Sequence, residues 1–363
     1  MTIIECQGTG RERGHAHGET ARALIHDGLA RWMASMATAT GGLREHYLQD
    51  FLGRTSFERT IKIHCPDLYE EVIGIAEGAN VDFHSILAYN LMDEQWFDVL
   101  GNVPGCSVIG INSTTGRGTE AEGSVVLAQN MDLPEYMNGG QAVLRIIPHD
   151  APESLVLTAA GMIGLTGATR AGLAVCVNTL LTLPYSPRGL PVAFVVRELL
   201  RRKNTRDGAT FLAAVPHASG QHYALADRNS ARGFECSGVD VAEVQLVDQV
   251  LIHTNHPLAT REVDREVARQ PLVRERVLSS ERRLAFLRES CRSQQRLADV
   301  KIVLADRTVP ISVSPTETRN TLTFGAIAIE FRDEPHVEIC LGRPDLEKWV
   351  PMAWSGRSAL TSA

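Results

Sequence analysis

The sequence predicts an α+β protein built as a four-layer αββα sandwich, and three observations carry that reading. The chain before Gly105 places apolar residues at helical spacing, and the chain after it breaks into short apolar runs separated by turn residues. Further helical stretches fall between and after those runs. Such elements bury their apolar faces as two sheets packed face to face with helices outside. A chain of 363 residues is long enough to bury a large core this way.

Taken in order, residues 3–7 read as a short strand, followed by a Gly-rich turn through Gly8, Gly10, Gly14 and Gly18. From Glu19 to about Ala39, Ala23, Leu24, Leu29, Trp32, Met33 and Met36 keep helical spacing. A second helix is predicted over 66–77, with Pro66 suited to a first turn and Gly78 to a stop. A third follows Asp82, a good N-cap, and carries Ile86, Leu87, Asn90, Leu91 and Trp96 toward Leu100. The Pro104-Gly105 breaker then opens a series of strands at 106–111, 124–128, 142–147, 155–158 and 173–177. Their Val, Ile and Leu content suits covered sheets. Helices are expected over 191–202 and 206–215, then strands at 223–227, 232–236, 243–247 and 250–253. A charged helix over 272–288, exposed on one face, precedes final strands at 322–331 and 336–341.

Composition narrows the function. Hydrophobic residues at 44% and charged residues at 22% are those of a soluble globular protein. A net charge of −7 argues against nucleic acid as the partner, because phosphate binding needs a basic face. Arg201-Arg202-Lys203 is too short to supply one. The start Met1-Thr2-Ile3-Ile4-Glu5-Cys6 lacks the basic-then-apolar pattern of an export signal, so a cytoplasmic location is expected. Residues 155–183 are apolar but contain Arg170 and four glycines, which fits buried sheet and not a membrane span. The cysteines (Cys6, Cys65, Cys106, Cys176, Cys236, Cys291, Cys340) are odd in number and scattered, as free thiols in a reducing compartment are. His15-Ala16-His17 and His253-Thr254-Asn255-His256 lack a companion ligand at metal spacing, so neither a metal nor another cofactor is expected.

The chemistry centres on Cys106, at the start of the first strand after the breaker. A lone cysteine there is ordinarily a buried core residue. The other reading is that the chain cuts its own Gly105–Cys106 bond. Cys106 then becomes an N-terminus, with nucleophile and base on one residue. Few αββα architectures place a cysteine at the start of a central strand, and the N-terminal-nucleophile hydrolase fold is one.

Several stretches resemble the acyl-coenzyme A:6-aminopenicillanic acid acyltransferase (isopenicillin N acyltransferase-like) family, whose relatives include β-alanyl amide hydrolases. They are Cys6-Gln7-Gly8-Thr9-Gly10, Gly14-His15-Ala16-His17-Gly18, the segment Tyr69 to Ala79, Gly105-Cys106-Ser107, Gln129-Asn130-Met131-Asp132, His253-Thr254-Asn255-His256 and Leu341-Gly342-Arg343-Pro344. Each is weak alone, but in this order they span nearly the whole chain. The resemblance implies the αββα fold, self-cleavage before Cys106, and acyl chemistry on amides or thioesters. It divides the chain into a helical segment, 1–105, and a catalytic core, 106–363, which stay associated after cleavage.

The resemblance also implies roles for particular residues. Asn255 is expected to present its side-chain NH₂ to the tetrahedral oxyanion. Asp132 is expected to orient or charge-balance the new ammonium. Ser237, in Phe234-Glu235-Cys236-Ser237, resembles a serine linked to processing, and Ser312 is a weaker match of the same kind. Met131 stands where the family often has an aromatic. The freed α-amine has a reference pKa of roughly 7.7–8.0, close enough to neutrality to take the thiol proton. The expected substrate is a small-molecule amide, of N-acyl or β-alanyl type, opened through a thioester on Cys106. The alternatives are an acyl-CoA-dependent N-acyltransferase and a catalytically silent scaffold of the same fold.

Overall fold

The computed structural model describes residues 3–41, 44–99, 105–112, 124–293, 295–316 and 320–356. Pro104, the first residue of the breaker pair, and Leu100, the expected end of the third helix, lie outside them. Strand β1 (Ile3–Gly8) leads into helices α1 (Gly10–Thr20), α2 (Arg22–Ala39), α3 (Arg44–Arg54), α4 (Phe57–His64), α5 (Pro66–Ala79), α6 (Phe83–Tyr89) and α7 (Met92–Asp98). Strands β2 (Gly105–Ile111), β3 (Val126–Pro134), β4 (Gln141–Pro148), β5 (Ser154–Ala159), β6 (Thr166–Thr169) and β7 (Ala174–Thr179) follow. After α8 (Val192–Leu199) and α9 (Thr205–Ala214) come β8 (Gln221–Ala226), β9 (Ala231–Cys236), β10 (Val241–Val244) and β11 (Val250–His253). The chain closes with α10 (Arg265–Arg269), α11 (Pro271–Ser290), α12 (Leu297–Leu304), β12 (Thr321–Glu330), β13 (His336–Cys340) and β14 (Val350–Met352).

The strands form two sheets, ordered β1-β4-β5-β6-β7-β8-β9-β10 and β11-β2-β3-β12-β13-β14. Val108 and Leu127 of the second sheet share one buried cluster with Leu155, Leu157 and Val175 of the first. The opposite face of the second sheet, through Ile109, Ile111, Val126 and Ala128, packs on Leu284 and Leu287 of α11 and Val300 and Leu304 of α12. Alternation of buried side chains between two such layers is what a sheet covered on both faces requires. Helices α1, α8 and α9 cover the first sheet, completing the αββα order. No helix among the described residues is long and apolar enough to cross a membrane.

The expected Gly-rich turn is instead helix α1. Gly10, Gly14 and Gly18 lie on one face of α1 against the α5 backbone at Asp67, Glu71 and Ile75, and Gly74 and Gly78 of α5 lie against the α1 backbone at Arg11 and His15, so the two backbones touch. A Cβ on Gly14 would come 1.9 Å from the Glu71 carbonyl oxygen, and one on Gly74 would come 2.3 Å from that of Arg11. The same glycines that weaken a helix locally are what this crossing needs. Glu71, buried at the crossing, accepts from Arg13 Nε (2.9 Å) and from Arg197 Nη1 (2.5 Å) and Nη2 (3.0 Å). The N-terminal segment is thereby tied to α8, and β1 runs parallel to β4 inside the larger sheet.

Asp82 caps α6 as expected, accepting from Ser85 N at 2.9 Å. The single long helix predicted beyond it breaks at Asn90. That side chain donates to Ile86 O and Gly161 O (both 2.9 Å) and accepts from Ile163 N (2.7 Å), pinning the break to the loop after β5. We expect Gly14→Ala to lower stability by about 3 kcal/mol, since neither backbone can move aside. Urea unfolding checks this, and a loss within 0.5 kcal/mol, roughly that of a surface substitution, would contradict the crossing.

Candidate active site

The site forms where β2 begins. Pairing of β2 with β3 sets Gly105 opposite Asp132 and Cys106 opposite Met131. On its other edge β2 pairs with β11, His253 lying opposite Val108, so the chain leaving β11 carries Asn255 back across the start of β2. The Cys106 N–H donates to Asn255 Oδ1 at 2.7 Å. Arg283, from α11, donates to the same oxygen from Nη2 (2.9 Å) and from Nη1 to Cys106 O (2.5 Å) and Ser107 Oγ (3.1 Å). Asn255 Nδ2 donates to Thr179 O at 3.1 Å.

This differs from the expected orientation of Asn255. Its oxygen faces Cys106 because two donors, the Cys106 N–H and the Arg283 guanidinium, converge there. Its NH₂ is engaged by the end of β7. Asp132 Oδ1 accepts from Thr323 Oγ1 at 2.6 Å, and its carboxylate lies against Gly105, where an added Cβ would come 3.1 Å from Oδ2. Burial holds the Cys106 thiol well above its usual range. The Asp132 and Asp93 carboxylates add to that rise, while the Asp132 N–H and Arg283 oppose it. The thiol is therefore protonated as it stands.

A cleft of about 40 Å³, open to solvent, is lined by Gly105, Asp132, Thr179, Asn255 and Arg283 and by the apolar Leu181, Val273, Val277 and Val313. Cys106 itself is 5% exposed and belongs to the core between the sheets. Gly105 lines the cleft, and Cys106 follows it into the core.

The turn carrying Asn255 is fixed from two sides. Its own N–H donates to Ser280 Oγ on α11 at 2.6 Å, and Thr254 Oγ1 donates to Ser280 O at 3.1 Å. Behind it, the buried Glu235 carboxylate accepts from the N–H groups of Leu258 (2.5 Å), Ala259 (3.0 Å) and Thr260 (2.8 Å), and pairs with His253 Nε2 at 2.8 Å. His253 Nδ1 meets Thr254 O at 2.8 Å, so both ring nitrogens face an oxygen. The ring stacks on that of His222 at 3.7 Å. Burial pushes the Glu235 carboxyl up, but His253 and the loop N–H groups outweigh it and hold it below the usual carboxylate range. Burial, with His253 and Arg283 nearby, lowers His256 to about 4.

Two expected serines are placed elsewhere. The hydrogen bonds of Ser237 Oγ stay within its own turn, to Val239 and Asp240. Ser312 Oγ donates to Asp345, which Arg343 also holds, so the Leu341-to-Pro344 stretch braces a loop. Among the described residues, no group of three or more His, Cys, Asp or Glu side chains is placed to hold a metal ion. Arg283, Ser280 and Thr179 are the residues that sequence reasoning missed. The signal for Arg283 was its position on the buried stripe of α11, with Val273, Ser280, Leu284 and Leu287. Glu235→Gln should cost about 3–5 kcal/mol, because it leaves the buried His253 pair broken. With the folded pKa of Glu235 depressed, its contribution is complete above the unfolded carboxylate pKa and is lost as pH falls through the folded value. Urea unfolding at pH 7 and pH 4 checks both, and equal stability of the two proteins at pH 7 would contradict the pair.

Comparison with known proteins bears on this arrangement. The sequence profile of the family described as acyl-coenzyme A:6-aminopenicillanic acid acyl-transferase matches residues 119–346. The acyl-coenzyme A:6-aminopenicillanic-acid-acyltransferase 40 kDa form of Emericella nidulans is 25% identical over 267 residues, 71% of this chain and 70% of that protein. Among solved structures, a Caenorhabditis elegans N-acylethanolamine-hydrolyzing acid amidase ortholog is similar at TM-score 0.43 and 16% identity, covering 62% of this chain and 92% of its own. Penicillin V acylase from Agrobacterium tumefaciens is similar at TM-score 0.41 and 15% identity, covering 68% and 86%. With its profile matched over more than half of its length, the chain belongs to the acyl-coenzyme A:6-aminopenicillanic acid acyl-transferase family.

Proposed function

We propose that this protein is a self-processing cysteine amidohydrolase that cuts its own Gly105–Cys106 bond and then hydrolyses a small N-acyl or β-alanyl-type amide. The observation that carries the reading is the Cys106 nitrogen, held at 2.7 Å by Asn255 Oδ1 with Asp132 across the strand from Gly105. In processing, Cys106 Sγ attacks the Gly105 carbonyl carbon. The C–S bond forms, the C–N bond breaks, and the thiol proton ends on the Cys106 nitrogen. Water then hydrolyses the thioester, leaving a Gly105 carboxylate and a free aminothiol. The close approach is helped by the missing Cβ of Gly105, where any side chain would press on Asp132.

In the mature form the α-amine takes the proton from the thiol, whose surroundings oppose ionisation. It later returns that proton to the leaving amine. Asn255 Oδ1, itself held by Arg283, fixes the direction of the amine, and the one hydrogen of Asn255 Nδ2 that Thr179 O does not take is left to donate to the oxyanion. Leu181, Val273, Val277 and Val313 give the acyl group an apolar wall. Segment 1–105 and core 106–363 remain together through β1 in the sheet and the Glu71–Arg197 pair. Seven buried free thiols support a reducing, cytoplasmic setting. The name of the Emericella nidulans relative favours acyl transfer from coenzyme A as the second reading.

Intact-mass spectrometry of purified protein should find fragments of about 11 and 28 kDa, the 39.7 kDa chain divided in proportion to length at Gly105. Cys106→Ala should remain one inactive chain. One uncut chain for folded wild type would favour the silent scaffold. Assaying the cleaved protein on small amides, with and without an acyl-CoA and an acceptor amine, separates hydrolysis from transfer.

A further inference from the structure

Helix α7 ends a few residues before Gly105 and carries two adjacent buried acids, Asp93 and Glu94. Asp93 Oδ1 accepts from Thr179 Oγ1 (2.7 Å) and Gln221 Nε2 (3.3 Å). Glu94 Oε1 accepts from Val192 N (3.0 Å) and Ser219 Oγ (2.8 Å). Among the described residues no Lys, Arg or His is paired with either carboxyl, and Glu94 Oε2 and Gln221 Oε1 have no hydrogen-bond partner. A buried carboxylate without a cation is costly, and a fold retains one where something offsets it. The titratable groups acting around Asp93 are Cys106 of β2, Tyr136 of the turn after β3, Tyr223 of β8 and Glu94 on its own helix. None of them is a cation. A hydrogen-bonded path nonetheless joins Asp93 to the nucleophile: Thr179 Oγ1 donates to Asp93, Thr179 O accepts from Asn255 Nδ2, and Asn255 Oδ1 accepts from Cys106 N.

Resting on the self-cleavage reading above, we propose that Asp93 is a positioning residue supplied by the N-terminal segment, the buried counter-charge for the ammonium that cleavage creates at Cys106. Hydrolysis of the Gly105–Cys106 bond consumes one water and yields a carboxylate on Gly105 and an ammonium on Cys106. The amine also faces Asp132 of β3 and Arg283 of α11, and the Gly105 carboxylate lies at the open cleft, which substrate must occupy; Asp93 is buried and is linked to the Cys106 nitrogen through Thr179 and Asn255. In the uncut chain burial raises Asp93 to about 6, and burial with Asp93 alongside raises Glu94 to about 7. Cleavage supplies the missing positive charge. A carboxylate whose field reaches Cys106 favours the protonated amine, so it raises the amine's pKa and moves the rising limb of activity to higher pH.

The test is an NMR titration of the Cys106 α-carbon in cleaved protein labelled with ¹³C-cysteine, read beside the pH profile of amide hydrolysis. Asp93→Asn, which keeps the acceptor for Thr179, should lower the amine's midpoint by about one pH unit, with the activity limb moving equally. Asp93→Ser should give the same shift if the asparagine variant folds poorly. Glu94→Gln, aimed at Val192 and Ser219, should leave the midpoint in place. A midpoint unmoved by both Asp93 substitutions, or moved as far by Glu94→Gln, overturns the proposal while leaving self-cleavage standing. Active wild-type protein that remains one chain has no such ammonium and overturns both.

Discussion

The hydrogen bond from the Cys106 nitrogen to Asn255 Oδ1 is the contact on which the rest of the site depends. A peptide nitrogen inside a sheet ordinarily serves the ladder. Here it is captured by a side chain arriving from a neighbouring strand, and that oxygen is held by a guanidinium as well. Everything around it fixes the direction of that oxygen. The sheet order β11-β2-β3 brings Asn255 and Asp132 to the same end of β2, Ser280 holds the Asn255 backbone, and Glu235 gathers the loop beyond. A group held this firmly can serve first as a scissile amide and later as an amine with a defined lone-pair direction, which is the preorganisation that acyl transfer rewards.

Electrostatics and burial give the uncut form its character. Two carboxylates, Asp132 and Asp93, act on a buried thiol and oppose its ionisation, with Arg283 as the opposing charge. The sulfur faces the core between the sheets, whereas Gly105 lines the cleft. On this account the intact chain is inert towards external amides for two independent reasons, access and charge. Cutting one bond relieves both, since it frees the approach and places a cation among the acids.

Much of this was legible in the sequence. The alternation of apolar runs after Gly105 gave nearly all the strands, and the Asp82 cap and the Pro66 start were read correctly. Asn255 and Asp132 are expected beside Cys106 from the sequence, and the fold brings both to the start of β2. What was missed has identifiable causes. Gly10, Gly14 and Gly18 look like turn residues until a second helix, with Gly74 and Gly78 facing them, is seen to require their bareness. Strand β6 is Thr166-Gly167-Ala168-Thr169, too short and too poor in β-branched aliphatics to stand out, and only its neighbours β5 and β7 make it a strand. Arg283 was hidden because a helix rich in charge reads as exposed, although its stripe position marked it as buried. The orientation of Asn255 is not readable at all, because it depends on two donors, from β2 and α11, and on an acceptor at the end of β7.

The most direct test of the central claim is chemical. A free 1,2-aminothiol exists only at an N-terminal cysteine, and 2-cyanobenzothiazole condenses with that group selectively. Treating active protein should place a single adduct on Cys106, at the start of the larger fragment, with activity lost in step with labelling. Fully active protein that takes up no adduct, while a synthetic peptide beginning with cysteine reacts beside it, would contradict the account.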